Sequence, residues 1–231
     1  EMRAAVRLLD DIKAAVKAHG DERAGAALAV LEAWDRRADA DSRGAVLFEA
    51  IFSELRKADV LFAEPWDASS PLSTPDGFKD PARAAGAVSE AAAAVESAHG
   101  ALDVPWGDVY RLRLGGHDLP ASGGPGALGI FRVLHFVAQD DGVRVANRGD
   151  AYVSVVEFGD RLRARSILAY GNASQPGSKH IGDQLPLFAR GELRPVWRTR
   201  SEIEAHLERR DTYGFDGEID SAGEAPDGGD S

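Results

Sequence analysis

At Gly100 the spacing of apolar residues changes from a helical repeat to a strand-like one, so the chain must place helices first and strands second. Before that point Ala5, Leu8, Leu9, Ile12 and Val16 mark one helix, ended by Gly20. Ala24, Ala27, Leu28, Leu31 and Trp34 form a second stripe. Leu47, Ala50, Ile51, Leu55, Ala58 and Phe62 form a third, widened by Phe48 and Phe52. The proline-rich stretch 64–79 predicts a loop. Asp80-Pro81, a capping residue followed by proline, restarts a helix that runs through an alanine-rich segment to Gly100. Beyond it, Phe131–Val137, Ala151–Phe158 and Leu162–Ala169 predict strands, the last two joined by a Gly159-Asp160 hairpin turn. Arg161, Arg163 and Arg165 alternate with Leu162, Ala164 and Ser166, which leaves one face of that strand wet. Helices followed by antiparallel strands and a helical end make an α+β fold: helical over 1–100, mainly β over 101–170, loop and helices over 171–210.

Charge and composition narrow the function. A 44% hydrophobic and 28% charged content is that of a globular protein, and no apolar run nears the ~20 residues of a membrane span. The opening Glu1-Met2-Arg3-Ala4-Ala5-Val6 lacks the charged and apolar blocks of a signal peptide, and its second-place methionine suggests a chain entered partway through. The net charge of −11 argues against nucleic acid as a partner. Seven of those charges come from Asp211 onward, where no basic residue occurs, so 211–231 is expected to be an acidic disordered tail. With no cysteine, thiolate metal sites, disulfides and cysteine nucleophiles drop out.

Three features invite a functional interpretation. The glycine-rich stretch 115–129 lacks the lysine and serine or threonine of a phosphate-binding loop, so a linker is expected. No two of the six histidines have the spacing of a zinc helix. His19 and His99 each precede a helix-ending glycine, where an imidazole complements the helix dipole, and His135 is expected as a core or inter-strand residue. The third feature is the run 170–197, which crowds Asn172, Ser178, His180, Asp183 and Gln184 together. A serine, a histidine and an aspartate within six residues suggest a hydrolytic triad, yet triad members come from separate segments and no G-x-S-x-G elbow is present. Asp183 is better placed as the cap of a helix over Gln184–Arg190, with Pro186 in its first turn and Gly191 at its end. Thr199-x-x-Glu202 is a capping box that starts a final helix with Ile203 and Leu207 on one face.

The stretch "YGNASQPGSKHIGDQLPLFARGELRPVWRTRSEIEAH", residues 170–206, resembles the C-terminal end of the penicillin acylase family, N-terminal-nucleophile amidohydrolases that include acyl-homoserine-lactone and aculeacin-type acylases. "LEAWD" (31–35), "DSRGAVLF" (41–48), "LDVPWGDVYRL" (102–112), "GIFRVL" and "GDAYVSVVEF" resemble the same family in the same order, over roughly residues 20–210. The resemblance implies part of a four-layer αββα fold and hydrolysis of the amide bond of an N-acylated small molecule: a β-lactam, an N-acyl homoserine lactone or a lipopeptide. In that family the precursor cuts itself to expose a serine whose own α-amine serves as base, with an oxyanion hole for the developing charge. Glu1 is no nucleophile, and the chain has no Gly-Ser-Asn junction. Cleavage at its Gly177-Ser178 pair would leave only the 54 residues to Ser231, too few for the core.

The resemblance therefore places the nucleophile, its histidine and the oxyanion asparagine upstream, so this chain is expected to carry no catalytic residue. Asn172, Ser178, His180, Asp183 and Gln184 are assigned a structural role. Expected partners are the rest of the acylase precursor, meaning the small chain and the N-terminal part of the large one, and the N-acyl substrate in the complete enzyme. A periplasmic or secreted location is implied by the family alone. No cofactor is expected, and the calcium ion that family members often hold finds no ligand in this segment. The competing expectation is a free-standing, non-catalytic module that binds a partner through an exposed sheet edge.

Overall fold

The computed structural model describes residues 1–213 and 219–222 and confirms a mixed α+β chain. It divides into two compact units, Glu1–Val153 with Ile167–Leu193, and Ser154–Ser166 with the chain from Arg194 onward.

The first unit begins with helices α1 (Arg3–His19), α2 (Glu22–Ala33), α3 (Ala45–Lys57) and α4 (Pro81–His99). α4 is the hub against which the other three pack. Its start follows from Asp80, whose side chain accepts the Arg83 N–H at 3.0 Å, and from Pro81 in the first turn; Gly100 ends it with a positive φ of 75°. Its buried residues are Ala84, Ala85, Ala87, Val88, Ala91, Ala92 and Val95, so methyl groups let three neighbours come close to one axis. Asp21 joins two helices. Its Oδ1 accepts the Ala24 N–H that caps α2 and its Oδ2 accepts the Ser89 hydroxyl of α4, both at 2.8 Å, and these bonds hold its carboxyl below the ordinary range.

α3 stops at Lys57 rather than continuing through Ala58 to Phe62. Asp59 and Phe62 take positive φ, and the chain turns into β1 (Leu61–Glu64), which pairs antiparallel with β2 (Asp76–Phe78). The predicted loop 64–79 therefore contains a strand. The apolar spacing persisted past the helix end because Ala58 and Phe62, beyond it, still pack partly buried against the core.

After α4 come the short helix α5 (Trp106–Val109), β3 (Tyr110–Leu114), β4 (His117–Pro120), a 3-10 turn (Gly126–Leu128), β5 (Leu134–Ala138) and β6 (Arg144–Gly149). The sheet order is β4-β3-β6-β5. The outer pairs are antiparallel, but β3 and β6 run parallel, with Tyr110 opposite Arg144 and Arg111 opposite Val145. The expectation of antiparallel strands is corrected there. The glycine-rich stretch is likewise no linker: it holds β4, the 3-10 turn and a bridge from Gly124 to Val133. β5 starts at Leu134, three positions past the expected start, and Phe131 is 95% exposed. β6 was not foreseen, because "RVANRG" carries too few apolar side chains to signal a strand. His135 is exposed and faces Arg148 across the pair, since its neighbour Leu134 takes the buried position.

Helices and sheet of this unit meet at Trp106. Its Nε1–H donates to the Gly123 carbonyl at 3.0 Å, and its ring stacks on Tyr110 with centroids 3.7 Å apart; Phe136 meets both rings edge-on. The Trp106 and Gly107 N–H groups donate to the Ser42 and Ala40 carbonyls at 2.9 and 2.7 Å. The Tyr110 hydroxyl lies 3.1 Å from Glu49 Oε2 on α3, and burial, then the Glu49 charge, push it far above the ordinary phenol range, so it donates as a neutral group.

The second unit holds the outer parts of β7 (Tyr152–Glu157) and β8 (Arg163–Leu168), then β9 (Arg194–Pro195), α7 (Arg200–Ala205), β10 (Arg210–Tyr213) and β11 (Ile219–Ala222). β9 pairs antiparallel with β8, and β10 with β11. Strand pairing at 210–213 and 219–222 departs from the disordered tail expected from composition; residues 214–218 and 223–231 of that tail lie outside the described residues. β7 ends at Glu157 and β8 begins at Arg163, so the turn is longer than the two-residue hairpin expected at Gly159-Asp160. The Thr199–Glu202 capping box forms as predicted, but Ile203 is exposed and Leu207, also exposed, lies beyond the helix end. Among the described side chains of this unit none is buried.

Two outcomes test this account of the first unit. Trp106→Ala should lower the unfolding free energy by about 3–5 kcal/mol in urea titration, the cost of emptying a fully buried aromatic site. Asp11 carries a buried Oδ2 without a hydrogen-bond partner; burial first, and the Asp76 charge second, raise its pKa above the ordinary carboxylate value. A carboxyl raised in the folded state costs stability once it ionises. Asp11→Asn should therefore raise the melting temperature at pH 7, and the gain should vanish at a pH below the ordinary carboxylate range, where the wild-type group is protonated folded or unfolded.

Candidate functional site

β8 leads into the loop that gathers Asn172, Ser178, His180, Asp183 and Gln184, and α6 (Leu185–Arg190) leaves it. The loop closes at its neck. The Gln184 N–H donates to the Tyr170 carbonyl at 3.0 Å, and the Gln184 side-chain Oε1 accepts the Leu168 N–H at 3.1 Å. Among the described residues Gln184 is one of few buried polar ones, and its bonds run back to the end of β8 and to the turn just after it. Tyr170 makes the turn at a φ of 76°, a left-handed backbone rare for an aromatic residue, and its hydroxyl is buried with no hydrogen-bond partner. Burial raises that phenol above its ordinary pKa.

Inside the neck the polar groups bind one another and the backbone. His180 Nδ1 sits 2.7 Å from Asp183 Oδ2, an ion pair when the imidazole is protonated. The His180 backbone N–H donates to the Ser178 hydroxyl oxygen at 3.2 Å, and the Ala173 N–H to the His180 carbonyl at 3.3 Å. Gly171 is required here: a β-carbon at that position would stand 2.1 Å from the His180 carbonyl oxygen and 2.7 Å from Asp183 Oδ1. The loop also presses Gly182 against the β3–β4 turn, where a β-carbon on Gly115 would lie 3.0 Å from the Gly182 Cα.

The five residues singled out from sequence thus come together in one loop, but not as a triad. The Ser178 oxygen receives the His180 backbone N–H, while the ring nitrogen Nδ1 turns to Asp183. A triad serine instead hands its proton to the imidazole. Asp183 is not the helix cap that its position suggested. Gln184 occupies the N-cap position without a side-chain capping bond, and Asp183 is held by the imidazole instead. Asn172 is exposed at the loop entrance. Ser178, His180 and Asp183 bond to one another within the loop, and Gln184 bonds back to Leu168 of β8.

A cleft of about 560 Å³ opens beside the C-terminal end of α6, walled in part by Arg37, Asp39, Ser122, Arg132 and Arg190. Sequence reasoning missed Arg132. Its Nη1 donates to the Phe188 carbonyl at 3.0 Å and its guanidinium lies 4.6 Å from the Phe188 ring centre; burial lowers its pKa. An arginine next to a strand start carries no pattern that distinguishes this use from an ordinary surface charge. Among the described residues no group of three or more histidine, aspartate or glutamate side chains is arranged to hold a metal ion, and no helix is long and apolar enough to cross a membrane.

If Gln184 locks the loop, Gln184→Met, which keeps length and removes the acceptor, should cost about 1–3 kcal/mol by leaving the Leu168 N–H unpaired. Urea unfolding with an unchanged slope would show it; an unaltered midpoint would mean that the lock contributes nothing.

Several motifs far apart in sequence also meet in space. Trp34 lies 5.4 Å from Phe48 between ring centres, Arg43 pairs with Asp103 at 3.2 Å, and the 40–42 carbonyls hold the start of α5. The family model for penicillin amidase matches residues 1–205. The acyl-homoserine lactone acylase PvdQ of Pseudomonas fluorescens (strain Pf-5) is 34% identical over 191 residues, covering 80% of this chain and 25% of that protein. The PvdQ of Pseudomonas savastanoi pv. phaseolicola is 32% identical over 77% of this chain and 24% of its own length. Aculeacin-A acylase of Actinoplanes utahensis is 30% identical over 78% of this chain and 23% of its own length. The chain thus spans about a quarter of the length of the curated relatives it matches. By a match over residues 1–205 of its 231, the chain belongs to the penicillin amidase family.

Proposed function

We propose that the chain is the C-terminal part of the large subunit of an acylase that hydrolyses the amide bond of an N-acylated small molecule, and that it serves as scaffold rather than as the source of the nucleophile. The observation that carries this is the match of residues 1–205 to the family together with coverage of only about a quarter of acylase relatives. The polar residues of 170–184 support the scaffold assignment, because the Ser178 hydroxyl accepts the His180 N–H and His180 Nδ1 pairs with Asp183 within the loop. The unburied second unit supports a missing neighbour. Val155, Val156, Phe158 and Ile203 stand in the open, the last two 83% and 47% exposed, and three short strands with so little burial do not stabilise themselves.

In the complete enzyme, on this proposal, these strands belong to the αββα layers, and the rest of the precursor covers them. The nucleophilic serine, its α-amine base and the oxyanion donors come from that part, and the substrate is an N-acyl homoserine lactone, a lipopeptide or a β-lactam. A periplasmic or secreted location goes with the same assignment. The purified 231-residue chain should show no hydrolysis of N-acyl homoserine lactones or of a chromogenic penicillin amide above the uncatalysed rate. Turnover by this chain alone, lost on substitution of one of its own serines, would overturn the scaffold assignment.

A further inference from the structure

Two side chains one turn apart on α1 hold the β1–β2 hairpin. Arg7 donates through Nη1 to the Pro75 carbonyl at 2.9 Å and through Nη2 to the Leu72 carbonyl at 3.2 Å, just before β2. Asp11, four residues on and so on the same side of the helix, meets β2 itself: the Gly77 N–H bonds to its carboxyl. Gly77 presents that N–H from a left-handed backbone with φ 68°. The rest of the Asp11 contact is unfavourable. Its Oδ2 is buried without a hydrogen-bond partner, and the charge that acts on it across the contact is a second carboxylate, Asp76. Asp76 already stands opposite Glu64 in the hairpin pairing, so Asp11 brings a further negative charge to an acidic hairpin end.

The charges around Asp11 run one way. Asp76 on β2 and Asp10 on α1 both disfavour its ionised form, and Arg7 is committed to the two carbonyls. Among the described residues no charged group of α2 or α4, which also pack on α1, acts on it. A neutral carboxyl removes the repulsion and the desolvation cost while keeping an oxygen for the Gly77 N–H. We propose that Asp11 is a proton-operated latch on the β1–β2 hairpin: the neutral carboxyl holds β2 against α1, and ionisation loosens it. The sign follows from burial and the Asp76 charge, which raise this carboxyl above the ordinary aspartate range while the hairpin is docked. Docking is therefore firmest below that range and weakens as pH rises through the raised value. The loop between the two strands moves with the latch, and it carries Trp66 and Leu72, 61% and 90% exposed. Acid fixes this apolar pair in place, and a rise in pH frees it. The proposal does not depend on the acylase assignment.

Amide hydrogen exchange in the full 231-residue chain, corrected for the intrinsic pH dependence of exchange, reads this opening. The amides of Gly77 and of Lys79, which bonds to the Val60 carbonyl at 2.9 Å, are the reporters. Between about pH 4 and about pH 8 both should lose protection roughly twofold or more, while the amides of α4 keep theirs. Asp11→Asn, which retains an acceptor and cannot ionise, should hold the hairpin at its low-pH protection throughout, and Asp76→Asn should shrink the pH dependence. As a second readout, the Gly77 amide proton resonance should move over the pH range in which protection falls, and stay fixed in Asp11→Asn. Hairpin protection that does not change with pH, a loss that persists in Asp11→Asn, or a Gly77 shift without loss of protection would each overturn the proposal.

Discussion

A buried indole couples the helices of the first unit to its sheet. Trp106 is clamped by a hydrogen bond to Gly123, by backbone bonds to the 40–42 segment before α3, and by stacking on Tyr110, which reaches α3 through Glu49. Each contact comes from a different stretch of chain. Removing the ring would leave the Gly123 carbonyl, the Tyr110 face and the Phe136 edge without a common partner. The parallel pairing of β3 with β6 begins at Tyr110 itself, so sheet register is set next to this cluster. Family motifs at 31–35, 41–48 and 102–112 look unrelated as text, yet they are neighbours here because they build one joint.

The loop 170–184 gathers hydrolase-like residues in a geometry that is not that of a triad. A catalytic serine needs its hydroxyl directed at an imidazole and an acyl carbon. Here the hydroxyl oxygen receives a backbone N–H two residues on, and the imidazole is bound to an aspartate three residues on. Local partners at such short separations order a turn, and the turn then presses glycine against glycine at the β3–β4 hairpin.

Much of the helical part was legible in sequence, because caps and stripes act locally. Asp80-Pro81, Gly100 and Thr199–Glu202 do in the structure what their side chains dictate. The failures share a cause. β6 and β4 are polar or glycine-rich strands that exist because a partner strand pairs with them, and no local pattern reports a partner. Asp183 was misassigned because its cap competes with an imidazole that the loop brings to 2.7 Å. That Asn172, Ser178, His180, Asp183 and Gln184 share one loop was readable from their closeness in sequence; Gln184's bond to Leu168 and the orphan Tyr170 hydroxyl depend on long-range geometry and were not.

The contrast between the two units has a calorimetric consequence. Heat-capacity change on unfolding scales with apolar surface newly wetted. The first unit hides its methyl-lined helix axis and the Trp106 cluster, whereas the second already exposes Val155, Phe158 and Ile203 to water. The described part of the second unit therefore adds little to the heat-capacity step, and in a scanning calorimeter the larger share of that step comes from the first unit.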